Sequence, residues 1–373
     1  DVPLGALLSG GVDSSAIVAL MAKAEGARTK TFSIAFHDSR FDESRYARQV
    51  AERYGTQHVE KVVDADDLDL LPRLSGIYDE PFGDVSAIPT FRVCALAREN
   101  VTVALSGDGG DEALGGYRRH RFHWRQEKLR NCIPAGLRRP LFSGLASLYP
   151  HASWLPRGLR AKTTLQELSE DTAGAYAGMV TALRPDVRHS LLSEEFRKSL
   201  AGYRSEDVVR DHFNVSAQLD PLQRAQYADI MTYLPSDILV KVDRASMANS
   251  LELRAPFLDP AFFSWCFSLP PSAKLDRRGG KSLLKRAMAP FLPHDLLYRE
   301  KQGFTVPLAR WFREDLRAQV QALGQSEVLR DSGVINMETV ARMAKAHVAG
   351  VRDHSKALWL VWVFDAFLDN RQA

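Results

Sequence analysis

Cysteine is scarce in this sequence: Cys94, Cys132 and Cys266 are the only three in 373 residues. They are far apart, odd in number and form no CxxC pair, which argues against a disulfide framework, a thiolate zinc site or a thiol relay. Their apolar or helical surroundings suit buried structural thiols, and a reducing cytoplasm fits this usage. Long hydrophobic runs are missing too. No stretch approaches the roughly 20 uninterrupted apolar residues of a membrane span, so the chain reads as soluble with no membrane partner. Neither sign of charge dominates: 49 Lys and Arg against 46 Asp and Glu leave a formal +3. That is too little to imply a nucleic-acid partner without a concentrated patch. No initiator Met stands at the start; Asp1-Val2-Pro3-Leu4 runs straight into an apolar strand with no signal-peptide pattern, which reads as a piece of something longer.

What is present is ordinary for a globular protein, 45% hydrophobic and 25% charged residues, in a chain long enough for two lobes. Apolar, β-branched runs at Leu4–Leu8, Thr29–Phe36, His58–Val63 and Val101–Leu105 read as strands. Helical periodicity separates them, as in Ser14–Ala24 and Asp42–Tyr54. This βαβ grammar predicts an α/β fold, a parallel sheet flanked by helices, over residues 1–131. Residues 132–160 are rich in Pro and Gly and are expected to connect two lobes. Residues 161–373 are mostly helical in pattern, for example Leu222–Leu234 and Val351–Leu368, and are expected to form a helical extension that completes the active site.

The first strand turns directly into a helix through Ser9-Gly10-Gly11-Val12-Asp13-Ser14-Ser15. Two glycines let the backbone approach an anion, the free N–H groups and positive dipole end attract it, and the three hydroxyls add donors. The alternative is a tight turn with a Ser/Asp cap. The GxxxxGK(S/T) pattern is lacking; Gly279-Gly280-Lys281-Ser282 comes nearest but has Leu275 where the first glycine belongs. Asp13 would repel phosphates unless a Mg²⁺ ion bridged them.

The fourth strand ends in Ser106-Gly107-Asp108-Gly109-Gly110-Asp111-Glu112, a second loop of the same chemistry. Ligands of parallel sheets bind beyond the carboxyl ends of the strands, so both loops are expected to face one crevice, with Asp13 and Asp111 sharing Mg²⁺. The spacing does not match a Ca²⁺-binding EF-hand, and an acidic turn is the bland alternative.

With both loops in hand, the sequence resembles the asparagine synthetase family, within the ATP pyrophosphatases that carry an SGGxDS loop. Further matches run nearly end to end: Asp79-Glu80-Pro81-Phe82-Gly83-Asp84 with Ser86-Ala87-Ile88-Pro89-Thr90, Lys241-Val242-Asp243-Arg244-Ala245-Ser246-Met247-Ala248, Leu251 to Asp259, and Arg299-Glu300-Lys301-Gln302-Gly303-Phe304. The resemblance implies an adenine-nucleotide α-hydrolase-like fold. It implies that Ser9, Gly10, Gly11, Asp13 and Ser14 bind pyrophosphate, that Asp13 and Asp111 hold Mg²⁺, and that Ser106 and Gly107 contact the AMP part. Leu7 and Ile34 would flank the adenine, although alone both read as core residues. Lys301 would contact phosphate, although alone it reads as a surface lysine. Asp108 stands where bacterial asparagine synthetases carry Glu near the reacting carboxylate, which leaves its effect on the acceptor open.

The implied reaction adenylates a carboxylate, the aspartate side chain by analogy, and joins it to ammonia. The family's N-terminal glutaminase domain, with its terminal catalytic Cys, has no counterpart in this sequence; a homodimer is compatible with the resemblance. Two rival readings are a tRNA-modifying ATP pyrophosphatase, suggested by Arg118-Arg119-His120-Arg121 with Arg125, Lys128 and Arg130, and a non-catalytic nucleotide-binding relative. A helix with a solvated basic face explains the basic run equally well.

Overall fold

A computed structural model of the chain describes residues 2–25, 29–149, 162–299, 303 and 306–372. Its centre is a five-stranded sheet of β1 (Leu4–Leu7), β2 (Lys30–Phe36), β3 (Gln57–Val63), β4 (Val103–Leu105) and β5 (Glu252–Arg254). The order is β3-β2-β1-β4-β5 and every pairing is parallel. The inner strand β2 is buried along nearly its whole length, as expected of a strand covered on both faces. The four strands expected from the sequence are present.

Two points depart from the sequence expectation. Strand β5 comes from the helical second half, and its backbone extends the sheet beyond β4. The segment expected as a connection, for which no helix is read, carries one, Ala135–Leu148, which continues through Pro140.

Helices α1 (Val12–Glu25), α2 (Ser44–Tyr54), α3 (Leu71–Tyr78), α4 (Ala87–Arg98), α5 (Gly110–Leu114) and α6 (Arg118–Cys132) follow in the first part of the chain. One face of the sheet buries Phe32, Ile34, Ile88 and Phe91 with Trp359 of the final helix Ser355–Gln372. The other buries Ala6, Leu8, Ile17, Val18 and Val50 with Leu296 and Leu297. Each fully buried side chain of Val, Leu, Ile or Phe size contributes about 1.5–3 kcal/mol, so the two apolar layers fix the sheet and the helix starts at its carboxyl edge. A third cluster of Tyr176, Phe213, Ala225 and Ala228 packs separate helices together. No helix among the described residues is long and apolar enough to cross a membrane.

Candidate active site

Parallel pairing places the carboxyl ends of β1 and β4 side by side, with Ala6 opposite Leu105. The two Gly/Asp loops leave from these ends. In the first, Ser9 and Ser14 hydroxyls lie 3.0 Å apart, and the Gly11 amide donates to Ser9 Oγ at 3.3 Å. Gly10 has φ +72°, and a Cβ there would lie 2.7 Å from the Ala47 backbone nitrogen, so both conformation and space require glycine. The loops touch: a Cβ on Gly107 would lie 2.8 Å from the Ser14 backbone nitrogen, and one on Gly110 would lie 2.6 Å from Asp13 Oδ1. One crevice therefore receives the amino ends of α1 and α5, with Asp13 in the first turn of one and Asp111 in the first turn of the other.

Between these carboxylates sits Lys281. Its Nζ pairs with Asp13 and lies 2.7 Å from Asp111 Oδ1. Burial opposes the ammonium charge, but Asp111 and Asp13 outweigh it, so the Lys281 pKa is raised. The GGKS segment, which lacks the phosphate-loop pattern, delivers its lysine to the two carboxylates. Among the described residues no group of three or more His, Cys, Asp or Glu side chains could hold a metal alone. Two hard carboxylate donors gathered around one cation do fit Mg²⁺ completed by substrate phosphates.

Asp108 lines a cavity of about 530 Å³ together with Ser106, Val240, Ser246, Leu253 and Leu258. Burial pushes its carboxyl pKa up against the pull of the Ser106 hydroxyl and the Lys241 charge. Lys241 in turn lies 2.7 Å from Asp84 Oδ2, which also accepts from Ser86 Oγ at 2.7 Å. Burial disfavours the Asp84 charge, yet Lys241 and Ser86 hold its pKa below the ordinary value. Asp237, on a rare π-helical turn Leu234–Leu239, has its pKa pushed up to about 7 by burial and then by Asp84. Nothing local in the sequence signals Asp237. Burial and then Asp111 likewise raise Glu112 to about 7, and Tyr117 donates to its Oε1 at 2.6 Å.

Of the residues expected at the site, Ser9, Gly10, Gly11, Asp13, Ser14, Ser106, Gly107, Asp108 and Asp111 come from the two adjoining strand ends. Ile34 is buried in the apolar core and Leu7 packs half-buried against it. Lys301 lies outside the described residues. Arg299 donates to Gly10 O at 3.1 Å, pairs with Glu43 and stacks on Tyr46 at 4.4 Å, which ties Arg299 to the first loop. The basic run is not a uniformly solvated face, which corrects the expectation. Arg118, Arg125 and Lys128 are exposed, but Arg119 pairs with buried Asp229 at 2.8 Å and Arg130 is buried against Glu127.

The family model for asparagine synthase matches residues 1–369. The chain belongs to the asparagine synthase family. A Mycobacterium tuberculosis protein described as a candidate asparagine synthetase (glutamine-hydrolyzing) is 38% identical over 371 residues, covering 98% of this chain and 54% of the relative. Asparagine synthetase (glutamine-hydrolyzing) 1 of Bacillus subtilis is 34% identical over 365 residues, covering 98% and 55%. Amidase chyE of Penicillium rubens is 24% identical over 379 residues, covering 90% and 54%. This member of the asparagine synthase family thus spans about half the length of the relatives it matches.

Proposed function

We propose that this chain is the synthetase part of an ATP-dependent carbon–nitrogen ligase, which adenylates a carboxylate and transfers ammonia to it, leaving amide, AMP and pyrophosphate. The observation that carries the reading is the meeting of the two Gly/Asp loops, whose Asp13 and Asp111 share one cation at adjacent carboxyl ends of a parallel sheet. The names of the relatives point to the aspartate side chain as acceptor.

In this reading Ser9, Gly10, Gly11 and Ser14 bind the β and γ phosphates through hydroxyls and the free amides at the start of α1. Ser106 and Gly107 bind the AMP part, with the adenine near Leu7 and Ile34. Asp13 and Asp111 hold Mg²⁺, which when bound neutralises charge that builds on the departing pyrophosphate. Lys281 adds positive charge beside them, where a preorganised field is most effective because it strengthens as the leaving group forms, and the motif match assigns Lys301 a phosphate contact. Asp108, in the second loop, lines the cavity in which the acceptor carboxylate and ammonia would meet. Excluding water there protects the adenylate from hydrolysis.

The tRNA-modifying reading loses support because Arg119 and Arg130 are committed to internal ion pairs. A screen of carboxylates for ATP–pyrophosphate exchange tests the acceptor: aspartate should support exchange, and exchange with no carboxylate at all would sink the adenylation reading.

A further inference from the structure

The cation between Asp13 and Asp111 is the chain's own side chain, and its placement is built in. Lys281 takes a left-handed backbone with φ 60°, unusual for a residue with a side chain, immediately before the helix Ser282–Met288. Its amide donates to Leu114 O at 3.2 Å, so the backbone is anchored to the last residue of α5, the helix that carries Asp111. Its side chain is only 6% exposed. The anchored backbone keeps the ammonium within reach of both carboxylates.

Two neighbouring carboxylates in a partly buried crevice need a cation to remain ionised together. One ammonium cancels one of the two negative charges. A divalent ion would cancel both, but it would then stand beside a buried ammonium, and like charges a few ångströms apart in a crevice repel strongly. The lysine and the metal therefore compete for one position.

We propose that Lys281 is a resident counter-ion that occupies the place between Asp13 and Asp111 in the nucleotide-free protein and bars a free divalent cation from it. Metal then enters together with the triphosphate, whose own negative charge receives the displaced ammonium. Loading is ordered by electrostatics. The inference rests on the assignment of Asp13 and Asp111 to a metal, and goes beyond it by making Lys281 the gate.

The test measures Mn²⁺ binding by electron paramagnetic resonance, with and without α,β-methylene-ATP, in the wild-type chain and in Lys281→Met. Without nucleotide, Lys281→Met should bind Mn²⁺ at least about tenfold more tightly than wild type, and Mn²⁺ alone should raise the thermal midpoint of the variant only. With the nucleotide analogue, binding should appear in wild type. Equal affinity of both proteins for Mn²⁺ without nucleotide overturns the proposal while leaving the metal assignment intact. Should Lys281→Met fail to fold, wild type decides: Mn²⁺ binding as tight without the analogue as with it overturns the proposal, and binding that needs the analogue supports it. No Mn²⁺ binding under any condition defeats the metal assignment, and the proposal with it.

Discussion

Replacing Gly107 with alanine probes the contact between the two loops without touching a charge. The added Cβ would lie 2.8 Å from the Ser14 backbone nitrogen and 3.2 Å from the Asp13 carbonyl carbon, whereas ordinary van der Waals contact begins at 3.4 Å. The obstructing atoms are backbone at the first turn of α1 and the Asp13 Cβ, which lies 3.0 Å away and which no rotamer change can move. The loops must separate by about 0.6 Å, the difference between 3.4 and 2.8 Å. Overpacking of this kind costs about 1–3 kcal/mol, which for a chain of this length lowers the thermal midpoint by about 1–4 °C. The functional effect should be larger, because a misplacement near 1 Å in a catalytic site can cost roughly a hundredfold. Gly107→Ala should therefore lower kcat/KM for carboxylate-dependent AMP formation by roughly ten- to a hundredfold, and weaken Mg-ATP binding measured by calorimetry. Wild-type nucleotide affinity with an unshifted midpoint would refute the close approach of the loops.

Asp13→Asn and Asp111→Asn should each lower kcat/KM on the order of a hundredfold, with little change in folding because Lys281 keeps one carboxylate partner in either variant. The double variant should lose far less than the product of the single losses, and fully multiplicative losses in steady-state assays would contradict a shared ion. Asp237 provides a pH test. Its folded pKa of about 7 stands above the ordinary 3.8, so the folded chain binds a proton more readily than the unfolded chain between those values. Its contribution is present at low pH and lost as pH rises through about 7. Asp237→Asn should gain stability relative to wild type from about pH 4 to about pH 7 and level off above, and parallel curves of thermal midpoint against pH would speak against the burial of this carboxyl.

Legibility followed the range of the interactions. Strands β1 to β4 announce themselves through local apolar, β-branched runs, and the glycine loops through the chemistry of a strand turning into a helix. Strand β5 does not, because three residues reading Glu-Leu-Arg carry no strand pattern; the open edge of β4 makes them a strand. The helix Ala135–Leu148 was masked by Pro140 and two glycines that point to a loop. Lys281 was invisible as a site residue because its partner Asp13 is 268 positions away, and only the folded chain brings them together. Arg119 and Arg130 look like a solvated patch until Asp229 and Glu127 are seen beside them. Asp237 depends on a π-helical turn that local propensity does not encode.

If the paired loops serve a departing pyrophosphate, ATP is cleaved between its α and β phosphates. Quantifying every phosphorus product when the chain is given Mg-ATP, aspartate and ammonium tests this most directly. AMP and pyrophosphate should each accumulate in step with amide, one for one; ADP and orthophosphate as the stoichiometric products would contradict the adenylation mechanism.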